Sequence, residues 1–200
     1  MGLSLTTTTG KVLASLALVG TAAGVAGLGT YGAFSSTTRA ETEVVSGTVD
    51  IALTPGAGGG LNLAAQGLVP GDRIQRTVNL HNTGTADFGS VTLTTSASPS
   101  SILDQHEKDG LRMVIESCPV AWVETTSLNY ACNGTPTLVL GDGPVVRTAK
   151  LAPLSAIKAK NSDFLKVTVT LPTTAGDAFS GQSSTINFNL TATQRPATAK

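Results

Sequence analysis

The sequence predicts an all-β chain, an antiparallel β-sandwich with at most short helices in its loops, and three observations predict it. Apolar residues alternate with polar ones in runs of strand length. Clusters of Gly, Pro, Asn and Asp separate those runs. The 200 residues include 30 Thr and 22 Gly but only 4% aromatic side chains, a composition that suits strands and turns better than helices.

The chain opens with a segment of different character. Between Lys11 and Arg39 the only ionisable side chain is that of Tyr31, and Val12 to Gly32 is an uncharged apolar run behind a single Lys. That is the arrangement of an export signal. At 21 residues the run is also long enough to anchor in a bilayer. Its second half, however, is rich in Gly, Ala and Thr, and Thr30-Tyr31-Gly32 puts small residues where a signal peptidase reads them. We therefore expect a signal peptide over residues 1–33, cleaved after Gly32 or Ala33, and contact with the membrane only through it. Lys11 is the one charge it removes, so the other 167 residues carry 12 basic and 13 acidic groups, a net charge of −1. A chain of that size buries roughly 70% of its unfolded surface around one core. With no basic excess to hold phosphates, nucleic acid is excluded as a partner.

Next come Phe34, Ser35, Ser36, Thr37, Thr38, Arg39, Ala40, Glu41, Thr42, Glu43, Val44 and Val45, a Thr-rich stretch without Gly or Pro and of strand length. The sandwich is expected over residues 46–195 and a short tail over 196–200. Within it Ile74, Val78 and Leu80 face inward in the first long run, Val91 and Leu93 in the second, and Leu111, Met113 and Ile115 in the third. Leu165, Val167, Val169 and Leu171 form the next inward set. The last run, Thr185 to Thr193, alternates Ile186, Phe188, Leu190 and Ala192 against Asn187, Asn189 and Thr191. Phe164 and Phe188 read as core. Pro70-Gly71-Asp72, Asn82-Thr83-Gly84-Thr85, Gly141-Asp142-Gly143-Pro144 and Gly176-Asp177 supply turns. Ser101 to Gly110 has room for one helical turn, Leu151 to Lys160 is ambiguous, and Gly56 to Gly60 reads as a hairpin loop because no Walker spacing follows it.

Cys118 and Cys132 form an even pair in an exported chain, which predicts a disulfide. Trp122 and Tyr130 lie between them and are expected to pack over it. Two sulfurs without nearby His do not make a metal site.

A search for catalytic chemistry returns little. The two histidines, His81 and His106, lie in separate segments. His106-Glu107-Lys108-Asp109-Gly110 starts like a zinc-protease motif, but Gly110 stands where the second His is required. Glu41 with Glu43 reads as solvent-facing charge, and Asp104, Glu107 and Asp109 lack the spacing of a calcium loop. No nucleophile elbow is present, so no catalytic, cofactor-binding or metal residue is assigned, and the chain is not expected to be an enzyme. One Trp and one Tyr after the signal do not build the aromatic platform common in sugar-binding sandwiches, and a carbohydrate-binding module stays open only as a lesser alternative.

Several segments, taken in order, resemble the TasA/camelysin family of secreted bacterial matrix proteins. They are Gly29-Thr30-Tyr31-Gly32-Ala33-Phe34-Ser35 at the signal junction, Ser46-Gly47-Thr48-Val49-Asp50-Ile51, Leu68-Val69-Pro70-Gly71-Asp72, Val78-Asn79-Leu80-His81-Asn82-Thr83-Gly84, and the closing Ile186 to Gln194. The resemblance implies a jelly-roll sandwich and a non-enzymatic subunit of biofilm-matrix or cell-surface fibres. It further implies head-to-tail self-assembly, with residues 34–45 completing the sheet of the next copy. The competing place for that segment is its own sandwich or a mobile tail. Partners are then other copies of the chain and, beyond them, matrix or cell-wall components. A monomeric surface binding module or adhesin is the alternative function. The cysteine pair has no counterpart in the resemblance, and the protease label some relatives carry lacks its metal-ligand spacing here.

Overall fold

The computed structural model describes residues 35–38, 49–57 and 61–195. They form β1 (Ser35–Thr38), β2 (Ile51–Pro55), β3 (Leu63–Gln66), β4 (Arg73–Asn82), β5 (Phe88–Ala97), β6 (Arg112–Cys118), β7 (Val123–Thr126), β8 (Asn129–Ala131), β9 (Thr137–Pro144), β10 (Thr148–Leu151), β11 (Ser162–Thr170) and β12 (Ser183–Gln194). One five-stranded sheet runs β1-β12-β5-β10, with β3 also on β12, and a second runs β2-β4-β11-β6-β9. β7 and β8 form a separate hairpin. Between strands the helices are single turns: α1 (Ile102–Gln105) and 3-10 turns at Ser155–Ile157 and Asp177–Phe179.

The eight strands β3, β4, β5, β6, β9, β10, β11 and β12 pass between the sheets in the winding of a jelly roll. Their orders, β3-β12-β5-β10 facing β4-β11-β6-β9, place sequence-distant strands such as β5 and β12 or β4 and β11 side by side. β2 widens the second sheet beside β4, and β1 widens the first beside β12.

The core follows the period of two. Leu165, Val167, Val169 and Leu171 are buried, as are Val78, Leu80, Val91, Leu93, Leu111, Met113, Ile115, Ile186, Leu190 and Ala192. Phe188 is half-buried against this core. One expectation needs correction. Phe164 does not enter the main core, because the alternation that turns Leu165 inward turns Phe164 out, where it joins Cys118, Trp122 and Tyr130. The main core takes Phe88 and Phe179 instead. Ile74 is half-buried against the main core, as its inward place requires, and Gln75 and Thr77 on the opposite face of β4 are buried as well.

Two turns show why their residues are needed. At Val69-Pro70-Gly71-Asp72 the Asp72 N–H donates to the Val69 carbonyl at 3.0 Å, and Gly71 has φ +96°, the third-position geometry of a type II turn. The Asp72 carboxylate accepts from Val69 N–H at 2.9 Å. In the β4–β5 loop the buried Asn82 side chain donates to the Ala86 carbonyl at 3.1 Å and accepts from Gly84 N–H at 3.1 Å. α1 carries a capping box: the Ser101 hydroxyl accepts from Leu103 N–H, and the Asp104 carboxylate accepts from Ser101 N–H at 2.8 Å.

Candidate functional site: a shared strand edge and a disulfide-closed hairpin

β12 is the longest strand among the described residues, and its two edges are covered differently. β5 pairs along it from Ile186 to Gln194, with one register shift at the end. The other edge is divided: β3 pairs with Ser183 to Ile186, and β1 pairs with Leu190 to Thr193, Ser35 lying opposite Thr193 and Thr38 opposite Leu190. Asn187 to Asn189 fall between those two partners. β1 has β12 as its one ladder neighbour and forms the end of the sheet. Ser35 to Thr38 are thus the described part of the Phe34–Val45 segment, and their ladder is with β12 of the same chain. Phe34, residues 39–45 and the cleavage positions Gly32 and Ala33 lie outside the described residues.

The second feature is the excursion between β6 and β9. Cys118 at the end of β6 is bonded to Cys132 just after β8, their Cα atoms 5.8 Å apart. Between them the β7–β8 hairpin folds back over the outer face of the second sheet. The Trp122 indole N–H donates to the Phe164 carbonyl at 2.8 Å, and Tyr130 N–H donates to Gln75 Oε1 at 3.0 Å. Lys166 Nζ sits 4.1 Å from the centre of the Trp122 ring and 3.0 Å from Glu116 Oε2. This cover explains the burial of Gln75. Trp122 and Tyr130 pack around the disulfide as expected. Burial pushes the Tyr130 phenol above its ordinary value, and the Glu124 carboxylate adds to the shift.

The residues weighed for catalysis are not brought together. His106 caps the end of α1 rather than continuing a helix: its Nδ1 accepts from Asp109 N–H at 3.0 Å, and its ring meets Phe179 edge-on at 5.6 Å. His81, on β4, hydrogen bonds through Nδ1 with the Ser162 hydroxyl at 2.9 Å. Asp104 is taken up by the capping box and by the hydroxyls of Ser100 and Ser184. Burial raises the pKa of this carboxyl, but those two hydroxyls and the Ser101 N–H outweigh it and leave the group below its ordinary value. Glu41 and Glu43 lie outside the described residues.

What sequence reasoning missed is the division of the β12 edge. Its one trace is length: the alternation of β12 runs past the end of β3, so a second strand is needed to pair the remainder.

A comparison with curated proteins finds no match. The profile of a protein family described as camelysin metallo-endopeptidase matches residues 7–118, ending at the first cysteine of the hairpin. That description implies a metal, and the described donor set does not fit one. His81 and His106 stand on different elements, each with its own hydrogen-bond partner. No group of three His, Cys, Asp or Glu side chains converges among the described residues. The match nevertheless spans more than half of the 200 residues and takes in the signal-like run, the Pro-Gly-Asp turn and the Asn82 loop, and the chain belongs to the camelysin family.

Proposed function

We propose that this protein is an exported, non-enzymatic subunit of extracellular or cell-surface fibres, and that it polymerises by passing its amino-terminal strand, residues 34–45, to the β12 edge of the next copy. The observation that carries the reading is the place of β1. It is a four-residue strand at the end of a sheet, held by one ladder, and without it β12 is open from Asn187 onward. A strand so placed makes the same backbone hydrogen bonds whether it comes from its own chain or from a neighbour. The balance between the two is then set by concentration and by the connection that follows it. A net charge of −1 after the signal adds little repulsion between copies.

Register provides the test. Thr37 lies opposite Thr191, and directly opposed residues of antiparallel strands stand about 4.5–5.5 Å apart at Cα, within disulfide reach. Thr37→Cys combined with Thr191→Cys, oxidised after assembly, should give a ladder of covalent oligomers on a non-reducing gel. Internally bridged monomers alone, from a sample that forms filaments, would refute strand donation. Deleting residues 34–45 should leave a folded monomer without filaments.

A further inference from the structure

The outer face of the β1-β12-β5-β10 sheet has a chemistry unlike the rest of the surface. On β5 the residues that turn away from the core are Ser90, Thr92, Thr94 and Ser96, since Val91, Leu93 and Thr95 are buried. Their register partners on β12 are of the same kind. Thr92 lies opposite Thr191, Thr94 opposite Asn189 and Ser96 opposite Asn187. β10 continues the rows with Thr148 opposite Thr94 and Lys150 opposite Thr92, and β1 places Thr37 at the position opposite Thr191. Side chains within the array bond one another: the Ser90 and Thr193 hydroxyls at 2.8 Å, and the Thr148 hydroxyl to Thr94 Oγ1 at 3.3 Å.

Apart from Lys150, these rows are of Ser, Thr and Asn alone. Three other features of the surface specify less. The cleft beside Asp104 and Glu107 has its carboxylate engaged by hydroxyls, the exposed valines and leucines of the hairpin name no occupant, and the His81–Ser162 pair has no third group.

We infer that this face is a binding site for a neutral polysaccharide. Strands about 4.8 Å apart, with same-face residues about 6.8 Å apart along each, make a grid of groups that both donate and accept hydrogen bonds. An extended polyol chain lying across it meets several at once. One cation is too few to hold a nucleic acid backbone, the rows offer no apolar surface to lipid, and the Trp, Tyr and Arg anchors of protein interfaces are absent from them. Asn189, half-buried in the middle of the array, adds an amide that can both donate and accept. Without aromatic stacking each sugar is held weakly, so affinity comes from the number of rows engaged.

The test uses the full exported protein, below its assembly concentration, mixed with washed particles of cellulose, an insoluble β-1,3-glucan or starch. Depletion from solution measures binding. Replacing Thr92, Thr94, Thr148 and Thr191 by Val removes four hydroxyls while keeping shape and strand preference, and should weaken binding to the preferred polymer at least about thirtyfold. If that variant does not fold, Thr94→Val with Thr148→Val, both exposed, should still weaken it at least about fivefold. Controls on other surfaces, Thr54→Val and Thr126→Val, should bind as the parent does. Binding to none of the three polymers, or equal binding by parent and folded variant, overturns the inference. So does a parent that self-associates through this face, seen as a sedimenting dimer that the same substitutions abolish. The readout is independent of filament formation, so its failure and the failure of strand donation are distinguishable.

Discussion

Replacing Cys118 and Cys132 by Ser is expected to release the β7–β8 hairpin while leaving the jelly roll folded. The bond joins residues 14 apart in sequence, and in the loop-entropy account closing a loop of that size is worth about 3 kcal/mol. Other anchors hold the hairpin as well. The Trp122 and Tyr130 hydrogen bonds contribute about 1 kcal/mol each and the Lys166 contact with the Trp122 ring about 0.5–1 kcal/mol. The cross-link thus outweighs any one of these polar anchors, and the burial of Trp122 and Tyr130 adds an apolar hold beside it. Trp122 is the sole Trp in the chain and is 6% exposed, so its emission reports the hairpin alone. Far-ultraviolet circular dichroism reports the sheets. In a urea titration the two signals of the parent should change together. In the double variant the emission should shift to the red at clearly lower urea, ahead of the sheet signal. Coincident transitions in the variant, with a midpoint within error of the parent's, would refute the idea that the disulfide holds the hairpin down.

Two further outcomes follow from polar groups elsewhere. Asn82→Ala leaves Gly84 N–H and the Ala86 carbonyl without the partner that orders the β4–β5 loop, and should cost about 1–3 kcal/mol in urea unfolding; a loss near zero would mean that water replaces the side chain freely. Asp104 has a folded pKa below the 3.8 of the free group, so its contribution is fully present above that value and is lost as pH falls through the folded one. The gap in Tm between parent and Asp104→Asn should therefore be widest near neutrality and close in acid. A gap independent of pH would show that ionisation of Asp104 is not what stabilises the cap.

Much of the fold was legible because strand periodicity and turn chemistry are local. β11 and β12 have the inward residues their alternation predicts, with Phe188 only partly covered, and the Pro70-Gly71-Asp72 turn and the Asn82 loop use the groups their residue types suggest. What escaped was whatever depends on a distant segment. Gln75 and Phe164 gain their surroundings from a hairpin that returns across the outer face of a sheet, and nothing near them in sequence foretells it. Arg147 is a similar case: its guanidinium donates to the Met113 carbonyl at 2.9 Å and the Gly141 carbonyl at 2.7 Å, and burial lowers its pKa from the ordinary value. A corner between β9 and β10 is fastened there by a residue that reads on paper as surface charge. The edge site was half legible, since the strand character of Ser35 to Thr38 is local but the choice of β12 as partner is not.

The hairpin and the sandwich beneath it have separate apolar clusters with no residue in common. Substitutions deep in one cluster and far from the other should therefore add, whereas those at the seam, where Trp122 and Tyr130 bond to β11 and β4, are coupled to the strands beneath.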